Sequence, residues 1–536
     1  MRGAGNHLRC VAFLNGKILT IDAENSTKEG VLVFGDRIIA TGSTEEIKAL
    51  LPKGGATVDL GGRTIIPGFV DSHVHMELTV NSLVNAVDVH LPEMSSLTEI
   101  LNRIKERAEK TPKGEWIVAR SSNRLAQKIA EKRLPTRAEL DAVAPDHPVF
   151  IDQEVHILVL NSLAIEKLGW TQETWIPRNG TMGRDFQTGE PTGVFGEVWQ
   201  KLPYNPWGYD NLLESLRTGT VKHYVARGVT SAHELPFSID GIRCWQQLRA
   251  EGDLPLRLKF YFEYPNLIDI DQLINLGLMK GFGDEWLSIG GMKLFIDGCG
   301  VHGNLHPLAD VKWTQEELND VVYRAHAAGL HIWGHTVTPA GIQMGINAYR
   351  YALTRLPRKD HRLRLEHSGD RLFTYDNPDA VLNQIKELEV VPIITPQFFY
   401  TLFERSGPPL RRLLDEGFIF PGNSDTTGSE PEACDPWHSI GLCVTRKNYY
   451  GEVHTPEERI TPLEAIRMFT LWGAWGAFEE KSKGSIEPGK LADMVVLGED
   501  PLTIDPDALR SMPVELVVVG GSEKHASPAF KGALES

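Results

Sequence analysis

Pro67-Gly68-Phe69-Val70-Asp71-Ser72-His73-Val74-His75 is the stretch on which the reading of this chain turns. It follows the β-branched, apolar run Thr64-Ile65-Ile66. Successive side chains of a strand point to opposite faces, so His73 and His75 share one side. Two imidazoles converging from one strand end can hold a metal ion. Pro67-Gly68 breaks the ladder ahead of them and fixes the angle at which the strand enters. His-x-His alone is a weak signal; the rest of the chain decides its meaning.

Outward from it, apolar strand-like runs alternate with helical patterns, the signature of β/α units. After the run ending at His75 come 228–233, 256–262, 292–297, 331–335, 363–367, 390–395 and 418–425. That makes eight, the number a closed parallel barrel requires. The stretch from Thr314 to Ala328 has an acidic first turn and a closing Gly329, which predicts a helix. Residues 76–227 are far more than one β/α connection needs, and 116–197 carry strand-like segments of their own. Both ends of the chain are β-rich, from Val11–Leu14 onward and again in Met494–Leu497 and Val514–Val519. The expected fold class is α/β: a distorted (β/α)8 TIM barrel over 67–483 with an inserted subdomain at about 112–215. Residues 1–66 plus 484–536 are expected to form a small composite β-sandwich.

The 536 residues carry a net charge of −16, which argues against nucleic acid or an anionic membrane as partner. Cys10, Cys244, Cys299, Cys434 and Cys443 are scattered without a CxxC, as suits a reducing compartment. Met1 to Lys17 has no apolar core of signal-peptide length, and no uninterrupted apolar stretch is long enough to span a bilayer. The expectation is a cytoplasmic protein with a small-molecule substrate and, at most, a second copy of itself as a homodimer.

Polar residues recur at the ends of the expected strands. Strand one ends in His73 and His75, strand four carries Lys293, strand five ends in His335, strand six in His367 and strand eight in Asp425. Strand ends converge on one face of a barrel, where active sites sit. Four imidazoles, a carboxylate and a lysine in a ring suit a two-metal site. Zinc fits such donors, as do other divalent metals. Trp333, Phe398, Phe399, Tyr400 and Trp437 are expected near the mouth, where aromatics favour an apolar or aromatic substrate group. Arg184 and Arg446 are the basic residues an acidic substrate would call on.

This order of residues resembles the amidohydrolase superfamily of metal-dependent hydrolases. The segments 135–141, 189–193, 292–298 and 435–437 look like amidohydrolase family 3, the branch that includes N-substituted formamide deformylases. The resemblance implies that His73, His75 and Asp425 hold one zinc ion and that His335 and His367 hold a second. It implies that Lys293, as a carbamate, bridges the two. Asp425 would take the proton of the attacking water and deliver it to the leaving nitrogen. His156 would sit where relatives carry a pocket histidine, with Cys299 and His302 as further pocket candidates. His335 is followed by Thr336-Val337-Thr338, without the His-x-x-Glu acid of the single-metal deaminases. The expected reaction is therefore C–N hydrolysis in an N-substituted amide or formamide. The alternatives are a cyclic amide, urea, carbamate or ester substrate, then a deaminase or a non-catalytic scaffold.

Overall fold

The computed structural model describes residues 9–122, 125–153, 155–174, 176, 180–298, 311, 313–370, 377–401, 407–427 and 430–534. Its centre is a parallel sheet of seven strands: Phe69–Val74, Val229–Glu234, Arg257–Tyr264, Leu287–Phe295, His331–His335, Arg364–Glu366 and Val391–Pro392. They pair in chain order, so the sheet curls around one axis as β/α units dictate. The eighth expected run, 418–425, is not a regular strand. It makes one bridge, Gly422 to Ile394, on the strand-seven side. On the strand-one side Ser72 N donates to Gly422 O at 3.3 Å and Asp425 N to His73 O at 2.9 Å. Pro421 has no N–H to give a ladder, and Asp425 turns the chain at φ 42°. Outside the sheet, the expected helix after Thr314 runs Gln315–Ala327, opened by a capping box between Thr314 and Glu317.

The apolar run before the histidines belongs to a different sheet. Thr64–Pro67 pairs with Lys17–Leu19 and with Met494–Leu497. Val514–Val519 and Ser522–Ala526 extend that sheet on the C-terminal side. A second sheet joins Arg37–Gly42, Gly30–Phe34, Cys10–Leu14 and Ala56–Asp59. Phe13, Val31, Val33, Ile65, Val496 and Leu516 are among the buried side chains between the two. Gly68 joins strand Thr64–Pro67 of the terminal sheet to Phe69–Val74 of the seven-stranded sheet. A Cβ there would lie 2.1 Å from Thr230 Oγ1, so only glycine lets strand one pass this close to strand two.

The insertion is a six-stranded mixed sheet with edges at Val87–Val89 and Thr181–Arg184. It starts earlier than 112, because Val87–Val89 pairs with Ile117–Ser121. It also ends before 215, because Tyr209–His223 is a helix packed beside Met76–Asn85 on the barrel. Arg120, buried in the insertion, ion-pairs with Asp152 and donates to Thr427 O, so the inserted sheet is tied to the loop that follows Asp425. Among the described residues no helix is long and apolar enough to cross a membrane.

Candidate metal centre

Strand one places Asp71 and His73 on the inside of the barrel, and His75 ends it as the N-cap of helix Met76–Asn85. His73 is fully buried. Its Nδ1 lies 2.5 Å from Glu366 Oε2. Its Nε2 lies 3.1 Å from Lys293 Nζ and 3.2 Å from Asp425 Oδ1. Asp425 Oδ1 is also 3.6 Å from His75 Nε2, and Asp425 Oδ2 is 3.5 Å from His367 Nε2. The His335 ring lies 4.8 Å from the His367 ring. The structure thus brings His73, His75, Lys293, His335, His367 and Asp425 together in one cluster at the curled parallel sheet.

The electrostatics follow from burial. It lowers His73 to about 4, helped by Lys293, and lowers His367 to about 3, so both imidazoles are neutral at neutral pH. Burial would raise the Asp425 carboxyl, but His73, His367 and His75 outweigh it and hold it below the usual range. Burial also lowers the Lys293 ammonium, against the pull of Glu366 and Asp425. Neutral imidazoles and an ionised carboxylate are the forms that bind a divalent cation. Among the described residues, ligand atoms of His73, His367 and Asp425 all lie within 4.8 Å of one another. His367 Nε2 is buried without a hydrogen bond. The donor set fits a metal ion. The one misfit is an ammonium 3.1 Å from a ligand nitrogen, and conversion to a carbamate would remove it.

The expected pocket residues scatter. Trp333 is not at the mouth. It is fully buried beneath His73, with ring centroids 5.5 Å apart, stacked on Tyr261 at 3.5 Å. Trp437 is also buried, edge-on to Phe69 at 5.2 Å, because Asp435 caps its helix at Trp437 N and turns the indole into the core. Phe398 is half-buried with its ring 5.1 Å from His367 and stays beside the centre. His156 Nδ1 meets Glu197 Oε1 at 2.9 Å within the insertion. Tyr400 packs on His438 and Tyr449. Arg184 is exposed on the inserted hairpin, and Arg446 donates to Thr455 Oγ1 at a helix end. Cys299, His302 and the side chain of Phe399 lie outside the described residues.

Three charged groups at the centre were not singled out from the sequence. Glu366 and Arg364 are two apart on a buried strand, so both point inward, and that alternation was a readable signal. Asp71 shares the inward face of His73 and accepts from Ser424 N at 3.0 Å, fastening strand one to the segment that carries Asp425. Burial raises its carboxyl to about 7.

The amidohydrolase family profile matches residues 56–523, which takes in the barrel strands and the metal-ring positions. The chain belongs to the amidohydrolase family. An N-substituted formamide deformylase of Arthrobacter pascens is 28% identical over 553 residues, spanning 96% of this chain and 98% of that one. The Arabidopsis thaliana protein LONG AFTER FAR-RED 3 is 27% identical over 518 residues, spanning 90% and 86%. An uncharacterised metal-dependent hydrolase from Pyrococcus horikoshii shares the fold of this amidohydrolase. Its TM-score is 0.72 at 22% identity, over 93% of this chain and 99% of that one.

Proposed function

We propose that this amidohydrolase uses divalent metal, two zinc ions per chain, to hydrolyse a C–N bond in a small, uncharged amide such as an N-substituted formamide. The observation that carries the reading is Asp425, whose two oxygens face three imidazoles beside a buried lysine. His73, His75 and Asp425 would hold one ion and His335 and His367 the other, with Lys293, as a carbamate, supplying anionic oxygens between them. Burial disfavours the Lys293 ammonium; its amine form would add to CO2, lose a proton and become an anionic carbamate. Metal bound there would polarise a carbonyl and ease the ionisation of water. Asp425 receives the proton of the attacking water on a carboxylate oxygen and gives it to the leaving nitrogen. The Phe398 ring offers an apolar wall for the substituent on that nitrogen.

The formamide choice leans on the deformylase among the relatives. A cyclic amide, urea, carbamate or ester would be attacked by the same groups. The partition into a (β/α)8 barrel, a composite sandwich and an insertion is part of the same reading. So is a cytoplasmic enzyme, alone or as a homodimer, in keeping with the unpaired thiols of Cys10, Cys244, Cys434 and Cys443. The test is metal-loaded protein on a panel of amides, ureas, carbamates and esters, with Asp425→Asn alongside. Asparagine accepts a positive φ and fills the same space. Turnover should fall on the order of 10²-fold or more with metal content kept. An inactive wild type, or near wild-type turnover in Asp425→Asn, would sink the proposal.

A further inference from the structure

An imidazole binds a metal through a bare nitrogen, so its single proton must sit on the other one. Two buried relays in this chain end on His73 and His367, two of the three imidazoles that face Asp425. The first starts from Arg364. Its Nε donates to Glu366 Oε1 at 2.7 Å and its Nη2 to Glu366 Oε2 at 2.9 Å. Arg364 Nη2 also donates to Ser72 O at 3.1 Å, and the guanidinium lies 3.7 Å over the Trp333 ring. Arginine can only donate, so Glu366 can only accept, and His73 Nδ1 at 2.5 Å must carry the proton. Both Glu366 oxygens are thus engaged by Arg364 and His73.

The second relay contains no charge. Asn423 Nδ2 donates to Ile394 O at 2.8 Å, and a backbone carbonyl can only accept. The Asn423 amide is thereby oriented, and its Oδ1 accepts from Thr395 Oγ1 at 3.0 Å. The Thr395 hydroxyl proton is spent on Asn423, so Oγ1 can only accept from His367 Nδ1 at 3.0 Å. Each relay ends in a group that cannot reverse direction. Both rings therefore carry Nδ1–H and present bare Nε2 atoms, 3.2 Å and 3.5 Å from the two different oxygens of Asp425.

We propose that Glu366 and Thr395 are positioning residues that fix the tautomers of His73 and His367 before metal arrives. The proposal rests on the metal-centre reading for its purpose, though not for its geometry. Outer partners of ligand imidazoles commonly carry 10–100-fold in metal affinity. The charged relay strengthens His73 as a donor more than the neutral one strengthens His367, so the Glu366 side should carry the larger share.

The experiment has two readouts: ring tautomers of the apo-protein from long-range ¹⁵N–¹H spectra, and the zinc dissociation constant from chelator competition. Thr395→Val keeps the shape and removes the acceptor; it should mix the His367 tautomers and weaken zinc about tenfold. Thr395→Ser restores the hydroxyl and should stay within about threefold of wild type. Glu366 alone cannot be removed cleanly, because Arg364 would be left buried and unpaired. The double variant Arg364→Met, Glu366→Gln keeps an acceptor without charge, whereas Arg364→Met, Glu366→Leu keeps none. The second should bind zinc at least tenfold more weakly than the first. Wild-type rings protonated on Nε2 overturn the proposal, as do Thr395→Val and the Leu double variant binding zinc as tightly as wild type. A wild-type chain with both Nδ1–H tautomers that takes up no zinc upholds the tautomer assignment and refutes the metal-centre reading instead.

Discussion

Replacing Trp333 separates a floor from a pocket wall. The indole is fully buried, stacked on Tyr261 at 3.5 Å and 20°, with Arg364 at 3.7 Å on its ring and His73 at 5.5 Å. Trp333→Leu leaves a void of roughly 60 Å³, worth about 1.5 kcal/mol at 24 cal/mol per Å³. The lost stack adds about 1 kcal/mol and the lost cation–π contact about 2 kcal/mol in this dry setting. The indole N–H is buried without a hydrogen bond, so its removal returns about 1–2 kcal/mol. The net cost is about 3 kcal/mol. For a chain of 536 residues that lowers the melting midpoint by roughly 3 °C. Scanning calorimetry of the metal-loaded protein measures it. On the same sample KM should stay within about twofold, because a floor residue makes no substrate contact. A side chain that lined the pocket would shift binding by about 1–3 kcal/mol, tenfold or more. A tenfold rise in KM with an unchanged melting midpoint would refute the placement of Trp333 beneath the site.

Lys293→Ala should lower bound metal from near two equivalents toward one and cut turnover by at least about tenfold. Elemental analysis of protein prepared without chelator measures the first, and full activity at one persistent equivalent would remove Lys293 from the ligand set. Asp435 is half-buried and its carboxyl is raised by desolvation to about 6, with Arg227 opposing. A raised carboxyl makes the unfolded chain the weaker proton binder between about pH 4 and 6, so its contribution to stability falls as pH rises through that window. Asp435→Asn keeps a good N-cap and removes that penalty. Its melting midpoint should match wild type below pH 4 and exceed it above pH 6, by at most about 3 kcal/mol of stability; parallel midpoint curves across that range would contradict this.

The cluster around Asp425 was legible because its histidines and Asp425 close apolar runs that strand periodicity identifies, with Lys293 inside a fourth run. His73, His335 and His367 share this position, and chain order alone put them on one barrel face. What periodicity cannot supply is depth along the barrel axis. His331, Trp333 and His335 alternate onto the same inward face, yet His335 reaches the ring while Trp333 lies beneath it. A mouth residue and a floor residue two positions apart look the same in sequence. Trp437 fails for a different reason. Asp435-Pro436-Trp437 marks a family resemblance, but the structure shows a local device, an aspartate cap with proline in the first turn, that buries the indole. A recurring motif can preserve a fold joint as well as a site.

The eighth strand shows the opposite case, in which irregularity is the functional feature. A regular strand over 418–425 would alternate its side chains and pair fully with both neighbours. The chain instead makes one bridge at Gly422, then turns at Asp425 with φ 42°. Asp425 N still reaches His73 O at 2.9 Å, so the backbone is anchored to strand one at the residue that carries the first imidazole. Two residues earlier Asn423 faces strand seven and orients Thr395. The same short segment therefore sets the carboxylate and, through Thr395, the tautomer of the imidazole opposite it. Positive φ is costly for most residues, but aspartate and asparagine tolerate it.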